Sequence, residues 1–372
     1  MTQATRNIPL SSPWIDERDE EIVLEVLRSG WLSLGPTGPR FEQLFAETVG
    51  ARHCAAVSSG TAGLHLCMRL AGVGPGDEVI TSPYSFVASA NCAMYEGATP
   101  VFADIDPHTY NLDVAAVESA ITEKTKAIVA VDIFGYPCEL DPLLELCERH
   151  GLAFVEDACE ALGATYKGRP IGSHGHPAVF AFYPNKQITT GEGGAVTTDD
   201  EAQHELLVSL RNQGRLETSS WLQHGRYGYN YRLDDLSAAL GIGQLEKLGR
   251  ILAARAEVAG RYAALLADVD VEAPLPDDQD HVRSWFVYVV KLPETVDRDA
   301  VAARMIEQGV ATAPYLPSIH LQPYMRERFG FSEGMLPVSE ACSARTLALP
   351  FHSRLERDDQ EYVVETLRSA LQ

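Results

Sequence analysis

The stretch Phe182-Tyr183-Pro184-Asn185-Lys186-Gln187-Ile188-Thr189-Thr190-Gly191-Glu192-Gly193-Gly194 places one lysine, Lys186, between two short apolar runs. The runs at 178–182 and 195–198 are typical of buried strands, so we expect Lys186 on a connection between two core elements. Burial disfavours the ammonium form of an amine, and the neutral form is the one that attacks a carbonyl to give a Schiff base. The glycines allow close backbone approach. The same pattern is also typical of a surface hairpin with an incidental lysine.

A carboxylate follows another apolar run upstream. The run at 152–155 ends in Glu156-Asp157-Ala158-Cys159-Glu160, and the carboxyl end of a buried strand is where ligands bind in open α/β sheets. If the lysine binds pyridoxal phosphate (PLP), Asp157 is placed to pair with the ring nitrogen, which lets the ring act as an electron sink. A helix N-cap or a turn aspartate is the alternative interpretation of Asp157.

The stretch 55–66 predicts a strand, a tight turn and a helix with an apolar face. Free amides at such a helix start bind phosphate. Ser59, Gly60 and Thr61 would supply hydroxyl and backbone donors. A capped helix without a ligand has the same pattern.

Short apolar runs alternate with helical patterns from residue 54 to residue 198. The predicted strands are 54–57, 78–81, 100–103, 127–131, 152–155, 178–182 and 195–198, and the helices between them are 61–71, 85–96, 113–121 and 140–150. This alternation predicts an α/β fold, with a mainly parallel sheet between helices on both faces in a three-layer α/β/α arrangement. No GxGxxG follows the first strand, so a dinucleotide site has little support.

The length of 372 residues favours two domains, because single cores tend to split beyond about 250–300 residues. We predict a large domain at 1–245 and a smaller α+β domain at 246–372. The remaining predicted elements are helices at 13–29, 40–49, 200–212, 234–265, 298–308, 338–346 and 357–371, a strand at 284–292, and loops at 31–39, 214–228 and 315–324.

The chain has 30 Lys+Arg against 52 Asp+Glu, a formal net charge of −22. This charge argues against binding to nucleic acid or to anionic membranes, but it does not exclude a small anionic substrate in a locally positive pocket. No apolar run approaches the roughly 20 residues of a membrane span, so we expect a cytoplasmic protein. The seven cysteines are scattered without a CxxC pair, which favours reduced thiols over disulfides or a metal site.

Taken together, these stretches resemble the PLP-dependent sugar aminotransferases of the DegT/StrS type, which have the fold-type I architecture. The resemblance extends over nearly the whole chain. Its motifs lie at 59–64, 83–91, 101–106, 156–158, 186–194, 228–233 and 315–324.

The resemblance assigns roles to residues at the cofactor. It implies that Lys186 carries the Schiff base and that Asp157 pairs with the ring nitrogen. The other implied cofactor contacts are Ser59, Gly60, Thr61, Phe86 stacked on the ring, Glu160, and Asn230. Two positions depart from the family pattern: Ala181 stands where many relatives have a phosphate-binding serine, and Glu160 stands where glutamine or histidine is common.

The resemblance also implies partners. The segment before Asn230 reaches across a homodimer interface in the family, so Asn230 would contact the phosphate at the neighbouring subunit's site. The implied substrate contacts are Trp31, Tyr315, His320 and Arg232.

The activity implied is transfer of an amino group from an amino acid, glutamate or glutamine, to a keto sugar carried by a nucleoside diphosphate (4-keto-6-deoxy or 3-keto). PLP would alternate with pyridoxamine phosphate. A PLP-dependent sugar dehydratase is one alternative, although those relatives replace the lysine by histidine or carry an iron–sulfur cluster. A non-enzymatic regulator is the other, although a regulator has no need of the lysine, the aspartate and the phosphate turn together.

Overall fold

The computed structural model describes residues 6–216 and 223–372 and has a seven-stranded sheet at its centre. The strands are β1 (His53–Val57), β2 (Glu78–Thr81), β3 (Thr99–Phe102), β4 (Thr125–Val131), β5 (Ala153–Asp157), β6 (Thr165–Tyr166), β7 (Arg169–Pro170), β8 (Ala178–Ala181), β9 (Gly194–Thr198), β10 (His281–Val282), β11 (Tyr288–Lys291) and β12 (Thr346–Leu349). The order in the large sheet is β1-β9-β8-β5-β4-β2-β3. Only β9 runs antiparallel to its neighbours, so the predicted mainly parallel sheet is confirmed.

Helices cover both faces of the sheet. They are α1 (Glu17–Ser29), α2 (Thr37–Val49), α3 (Gly60–Leu70), α4 (Ala88–Tyr95), α5 (Val114–Ala120), α6 (Leu140–His150), α7 (Glu201–Arg211), α8 (Asp235–Glu246), α9 (Leu248–Leu265), α10 (Arg298–Glu307), α11 (Pro323–Phe329), α12 (Pro337–Arg345) and α13 (Arg357–Ala370), with 3-10 turns at Ile133–Gly135 and Ile319–Leu321. None of these helices is long and apolar enough to cross a membrane, a finding that concerns only the described part of the chain.

Alternation along the strands separates the two faces. Phe154 and Phe180 join the core beneath α1, α2, α6 and α8, whereas Val155 and Val179 join the core beneath α3, α4 and α7. Burial on both faces explains why these strands are apolar throughout. The expected three-layer α/β/α arrangement is therefore confirmed.

A separate core lies in the C-terminal part, where α9, α10 and α13 pack on the antiparallel pair of β11 and β12. Ile8 also belongs to this core and forms a bridge with Val310. The first described residues therefore pack with the C-terminal part, although the predicted domain boundary counted them with the large domain.

The single helix predicted at 234–265 is broken at Lys247, which has a φ of −115°. The buried Lys247 ammonium lies 2.8 Å from Asp16 and also contacts Asp19 on α1. Because the residues on both sides of Lys247 continue the apolar pattern, helical periodicity alone does not reveal the break.

The strand predicted at 284–292 is also shorter than expected, because β11 begins only at Tyr288. The carbonyls of Ser284 and Phe286 accept hydrogen bonds from the side chains of Gln187 and Arg255. These contacts direct the segment towards Lys186.

Candidate active site

A cavity of about 680 Å³ opens at the carboxyl ends of three parallel strands. Val131, Asp157 and Ala181 are the last residues of β4, β5 and β8, and all three line it. This is the edge of an open α/β sheet at which ligands bind.

Lys186 lies on the connection between β8 and β9, as predicted, and its side chain enters the cavity with 14% of its surface exposed. Its Nζ lies 3.4 Å from Glu160 Oε1 and 4.0 Å from the centroid of the Phe286 ring. A carboxylate and an aromatic face both attract an ammonium group. The amine is therefore held near both groups.

Asp157 is 4% exposed and points into the same cavity. Its Oδ2 accepts a hydrogen bond of 2.7 Å from the hydroxyl of Ser89 on α4, and Oδ1 accepts one of 3.3 Å from the Cys159 amide. The carboxylate is thus fixed in direction and available to a cationic group in the cavity.

Glu160 is buried, and its Oε2 accepts a hydrogen bond of 2.9 Å from the Phe134 amide. Burial raises the pKa of Glu160, and the nearby Asp157 charge acts in the same direction, while Lys186 and the Phe134 amide oppose the shift. Phe134 has a φ of 55°, in the left-handed region that a residue with a side chain seldom adopts. The strained turn directs its amide at the carboxylate.

The N-terminus of α3 forms another wall of the cavity. The Ser59 hydroxyl accepts a hydrogen bond of 3.1 Å from the Ala62 amide and caps the helix. Ser59, Gly60 and Thr61 all line the cavity. The first amides of a helix have no intrahelical acceptor and attract anions.

Close packing holds this helix start in place. A Cβ on Gly60 would lie 2.8 Å from both the Cβ of Ala181 and the Sγ of Cys159, and one on Gly194 would lie 2.7 Å from the Gly60 nitrogen. Ala181 fills its place without a hydroxyl. The glycines therefore let the helix start approach β8 and β9.

These groups fit PLP. An amine, a carboxylate and a helix N-terminus face one cavity, matching the carbonyl, the ring nitrogen and the phosphate of that molecule. Phe86, 64% exposed, adds an aromatic ring at the cavity wall. The buried Oδ1 of Asn185, also at the wall, has no hydrogen-bond partner among the described residues.

Tyr315 is the predicted substrate residue that the structure brings to this cavity, where it packs against Phe134 and Phe286. Trp31, 62% exposed, is not part of the cavity wall. His320 is fully buried, and its Nε2 lies 3.0 Å from Glu340. A fully buried imidazole does not touch a ligand in the cavity, so the geometry gives the substrate contact predicted for His320 no support.

Arg232 and Asn230 also lie outside the cavity wall of this subunit. Arg232 donates to the side chains of Asn212 and Gln213 at 2.9 and 3.1 Å, and Asn230 is exposed. The predicted cross-subunit segment at 214–228 includes residues 217–222, Trp221 among them, which lie outside the described residues.

Sequence reasoning missed Ser89, Phe286 and Arg255. Ser89 lies within the motif at 83–91, and its position one helical turn after Ser85 was a usable signal, since the two hydroxyls are 2.8 Å apart. Phe286 and Arg255 reach Lys186 from about 100 and 70 residues away in the chain, and no local pattern marks them.

The chain is similar to known proteins over nearly its whole length. The model of the DegT/DnrJ/EryC1/StrS aminotransferase family matches residues 13–368. The chain is 39% identical to the spore coat polysaccharide biosynthesis protein SpsC of Bacillus subtilis, over 97% of this chain and 96% of that protein. It is also 39% identical to the GDP-perosamine synthase of Caulobacter vibrioides, over 98% of each.

Solved structures show the same fold. DesV of S. venezuelae, in complex with a ketimine intermediate, superposes with a TM-score of 0.91 at 33% identity, over 99% of this chain and 100% of that one. The sugar aminotransferase Spr1654 of Streptococcus pneumoniae in its PLP form has a TM-score of 0.93 at 30% identity, over 98% of each chain. The chain therefore belongs to the DegT/DnrJ/EryC1/StrS family of PLP-dependent sugar aminotransferases.

Proposed function

We propose that this enzyme binds PLP through Lys186 and transfers an amino group from glutamate or glutamine to a keto sugar linked to a nucleoside diphosphate. The observation that carries the proposal is the convergence of Lys186, Asp157 and the N-terminus of α3 on one cavity. The resemblance to a GDP-perosamine synthase supports a nucleotide-linked sugar as the acceptor. A keto group is needed on that sugar, because an amine condenses with a carbonyl.

PLP supplies a carbonyl that joins to amines and a ring that accepts electrons. The carboxylate of Asp157 holds a proton on the ring nitrogen, because an adjacent negative charge favours the cationic form. Ser89 keeps this carboxylate directed into the cavity. The amides of Gly60 and Thr61 and the hydroxyls of Ser59 and Thr61 would hold the phosphate.

Lys186 moves the proton. After an amino donor has taken its place at the cofactor, the amine of Lys186 would accept the proton that leaves the donor Cα and deliver it to the cofactor carbon that bore the carbonyl. The Phe286 ring and Glu160 flank Nζ and would keep the amine in place during this transfer. In the second half of the reaction the same amine would deliver a proton to the sugar carbon that receives nitrogen.

The site is proposed to be completed by a second copy of the chain. Asn230 is exposed and lies outside the cavity wall of its own subunit, which agrees with a role at the neighbouring site. Phe86, Tyr95, Tyr183 and Tyr227 are also large exposed aromatic residues of this subunit. Large exposed aromatic residues of this kind are enriched at protein interfaces.

Two measurements test the proposal. Borohydride reduction of the purified enzyme, followed by peptide mapping, should place a pyridoxyl label on Lys186. The Lys186→Ala variant should lose this label, whereas Lys167→Ala should keep it, because Lys167 is exposed and paired with Asp141. A label on another lysine would overturn the assignment.

The substrate is tested separately. The enzyme is incubated with nucleotide-linked 4-keto-6-deoxy or 3-keto sugars and with glutamate or glutamine, and the masses of the products are measured by mass spectrometry. We expect one sugar class to gain an amino group in place of its keto oxygen. Failure of every sugar, with a normal half-reaction on the amino donor, would contradict the acceptor and leave the transaminase assignment standing.

A further inference from the structure

Arg255 on α9 is a buried cation without a counterion. It is 2% exposed, and no carboxylate lies within ion-pair distance of its guanidinium among the described residues. Burial lowers the pKa of Arg255 to about 10. Removing a charge from water without a paired anion costs free energy, so stability alone does not explain an arginine here.

The guanidinium binds backbone carbonyls instead. Nη1 donates to the carbonyls of Trp285 and Phe286 at 3.3 and 3.1 Å, and Nη2 donates to the carbonyl of Lys186 at 3.1 Å. A planar guanidinium has its donors in a rigid fork, which fixes the relative positions of the groups it binds. Arg255 therefore joins the backbone of Lys186 to the backbone of Phe286.

A second set of hydrogen bonds, from the Gln187 side chain, links the same part of the structure. The side-chain amide of Gln187 donates to the carbonyl of Glu160 at 2.5 Å and to the hydroxyl of Ser284 at 2.9 Å. Gln187, the residue after Lys186, thereby joins the segment that carries Glu160 to the segment that carries Ser284 and Phe286. The main-chain carbonyls of Lys186, Phe286 and Glu160 therefore all accept hydrogen bonds from the side chain of Arg255 or Gln187.

We infer that Arg255 is a positioning residue that holds the amine of Lys186 between the Phe286 ring and the Glu160 carboxylate. The inference rests on the proposed role of Lys186. It also assigns the C-terminal part of the chain a role in the reaction, because α9 packs in the C-terminal core through Val258 and Tyr262. A shift of α9 would move the Lys186 and Phe286 carbonyls with it.

The test compares Arg255→Met and Arg255→Lys with the matched control Arg261→Met. Arg261 lies on the same helix, and its guanidinium binds Glu257 at 2.6 Å and the Leu355 carbonyl at 2.8 Å, away from the cavity. Both methionine variants remove a guanidinium from α9. Only the change at Arg255 releases Lys186.

The first readout is the reactivity of the amine itself. Full-length enzyme loaded with pyridoxamine phosphate, which carries no carbonyl to occupy Lys186, is trace-labelled with acetic anhydride across a pH series and mapped by mass spectrometry. We expect the pH profile of Lys186 labelling to shift in Arg255→Met, to shift less in Arg255→Lys, and to stay unchanged in Arg261→Met. Lys186 profiles in both Arg255 variants that overlay the wild type would overturn the inference.

The second readout separates kcat from KM. Misplacement of the amine should lower kcat by about tenfold or more in Arg255→Met, since small errors in the position of a catalytic group are costly, with little change in the KM for the sugar. Equal losses in Arg255→Met and Arg261→Met would show a merely structural role. If Arg255→Met does not fold, the pH profile of Lys186 labelling in Arg255→Lys tests the inference instead.

The two proposals fail in different ways. Absence of any cofactor on Lys186 would refute the proposed function, whereas the labelling profile tests the role of Arg255 independently of it.

Discussion

The Oε1 of Glu160 lies 3.4 Å from the Nζ of Lys186, and its other carboxylate oxygen accepts the amide of Phe134. Glu160 is buried, and its carboxyl group faces the same cavity as Lys186. This enzyme therefore places a titratable group next to the proposed reactive amine, and its protonation depends on pH.

The first prediction concerns that dependence. Burial raises the pKa of Glu160 above its ordinary value of 4.5. A raised folded-state pKa means that the folded chain binds the proton more tightly than the unfolded chain. Its contribution to stability is then fully present below the unfolded-state pKa and is lost as pH rises through the folded-state pKa.

Glu160→Gln removes this loss. Urea unfolding at several pH values should show that the variant gains stability relative to the wild type as pH rises above the ordinary pKa of 4.5, with a plateau above the folded-state pKa. Glu192→Gln, at an exposed residue of the same cavity, serves as the control and should show no such trend. A difference between Glu160→Gln and the wild type that is constant over the series would contradict the prediction.

The second prediction concerns Asp157 and its support. Asp157→Asn should leave the cofactor bound while the half-reaction with glutamate slows by orders of magnitude, because the ring nitrogen loses its charge partner. Ser89→Ala removes one hydrogen bond to the carboxylate and should have a smaller effect, on the order of 1 kcal/mol. Stopped-flow absorbance measures both rates. If Ser89→Ala were as damaging as Asp157→Asn, the order of importance proposed here would be wrong.

The third prediction concerns the close packing at the start of α3. A methyl group at position 60 would lie 2.8 Å from Ala181 and from Cys159, so Gly60→Ala should push the helix start away from the sheet. We expect a loss of about 1–3 kcal/mol in stability and weaker binding of PLP. Titration of the cofactor and thermal unfolding check both effects.

Gly249→Ala on α9 is the matched control. Nothing lies within 4 Å of a Cβ built at Gly249, and alanine suits a helix better than glycine by about 0.5–1 kcal/mol. It should stabilise the chain slightly and leave PLP affinity unchanged. Normal PLP affinity in Gly60→Ala would show that this helix start does not bind the phosphate.

The sequence was most informative where a candidate functional residue lies next to a recognisable local pattern, such as an apolar run. The positions of Lys186 and Asp157 at the cavity could be predicted because each comes at or after the end of an apolar run that forms a strand, and strand ends meet at one edge of a parallel sheet. Phe286 and Arg255 were missed because their contacts with Lys186 depend on the folded chain rather than on neighbours in sequence.

Helix boundaries and the burial of individual side chains were also difficult to predict from the sequence. The break at Lys247 depends on contacts with Asp16 and Asp19, about 230 residues earlier, and propensity carries no sign of it. His320 lies in a motif of the family, and only its packing against Phe102 and its contact with Glu340 reveal that it is buried. A sequence motif identifies a residue, whereas the direction in which its side chain points depends on tertiary contacts.

The last prediction concerns Asn230. Its neighbours Tyr229 and Tyr231 stack with ring centroids 5.0 Å apart, and they bond to the C-terminal end of α4 and to α3, respectively. The hydroxyl of Tyr229 donates to Glu96 at 3.1 Å, while the hydroxyl of Tyr231 lies 3.0 Å from Nδ1 of His65. Asn230 is thus an exposed residue on a firmly held segment, as a residue that serves another subunit needs to be.

Subunit exchange tests this role. Lys186→Ala and Asn230→Ala homodimers should each be inactive or nearly so. In a mixed dimer, one site combines both lesions, and the other combines an intact Lys186 with an intact Asn230 from its partner. Activity should therefore rise on mixing towards one working site per mixed dimer, since half of the sites in each are complete. Native mass spectrometry of the mixture confirms exchange, and Lys186→Ala mixed with itself is the control. Verified exchange without recovered activity would mean that Asn230 serves its own subunit, and the shared-site arrangement would have to be abandoned.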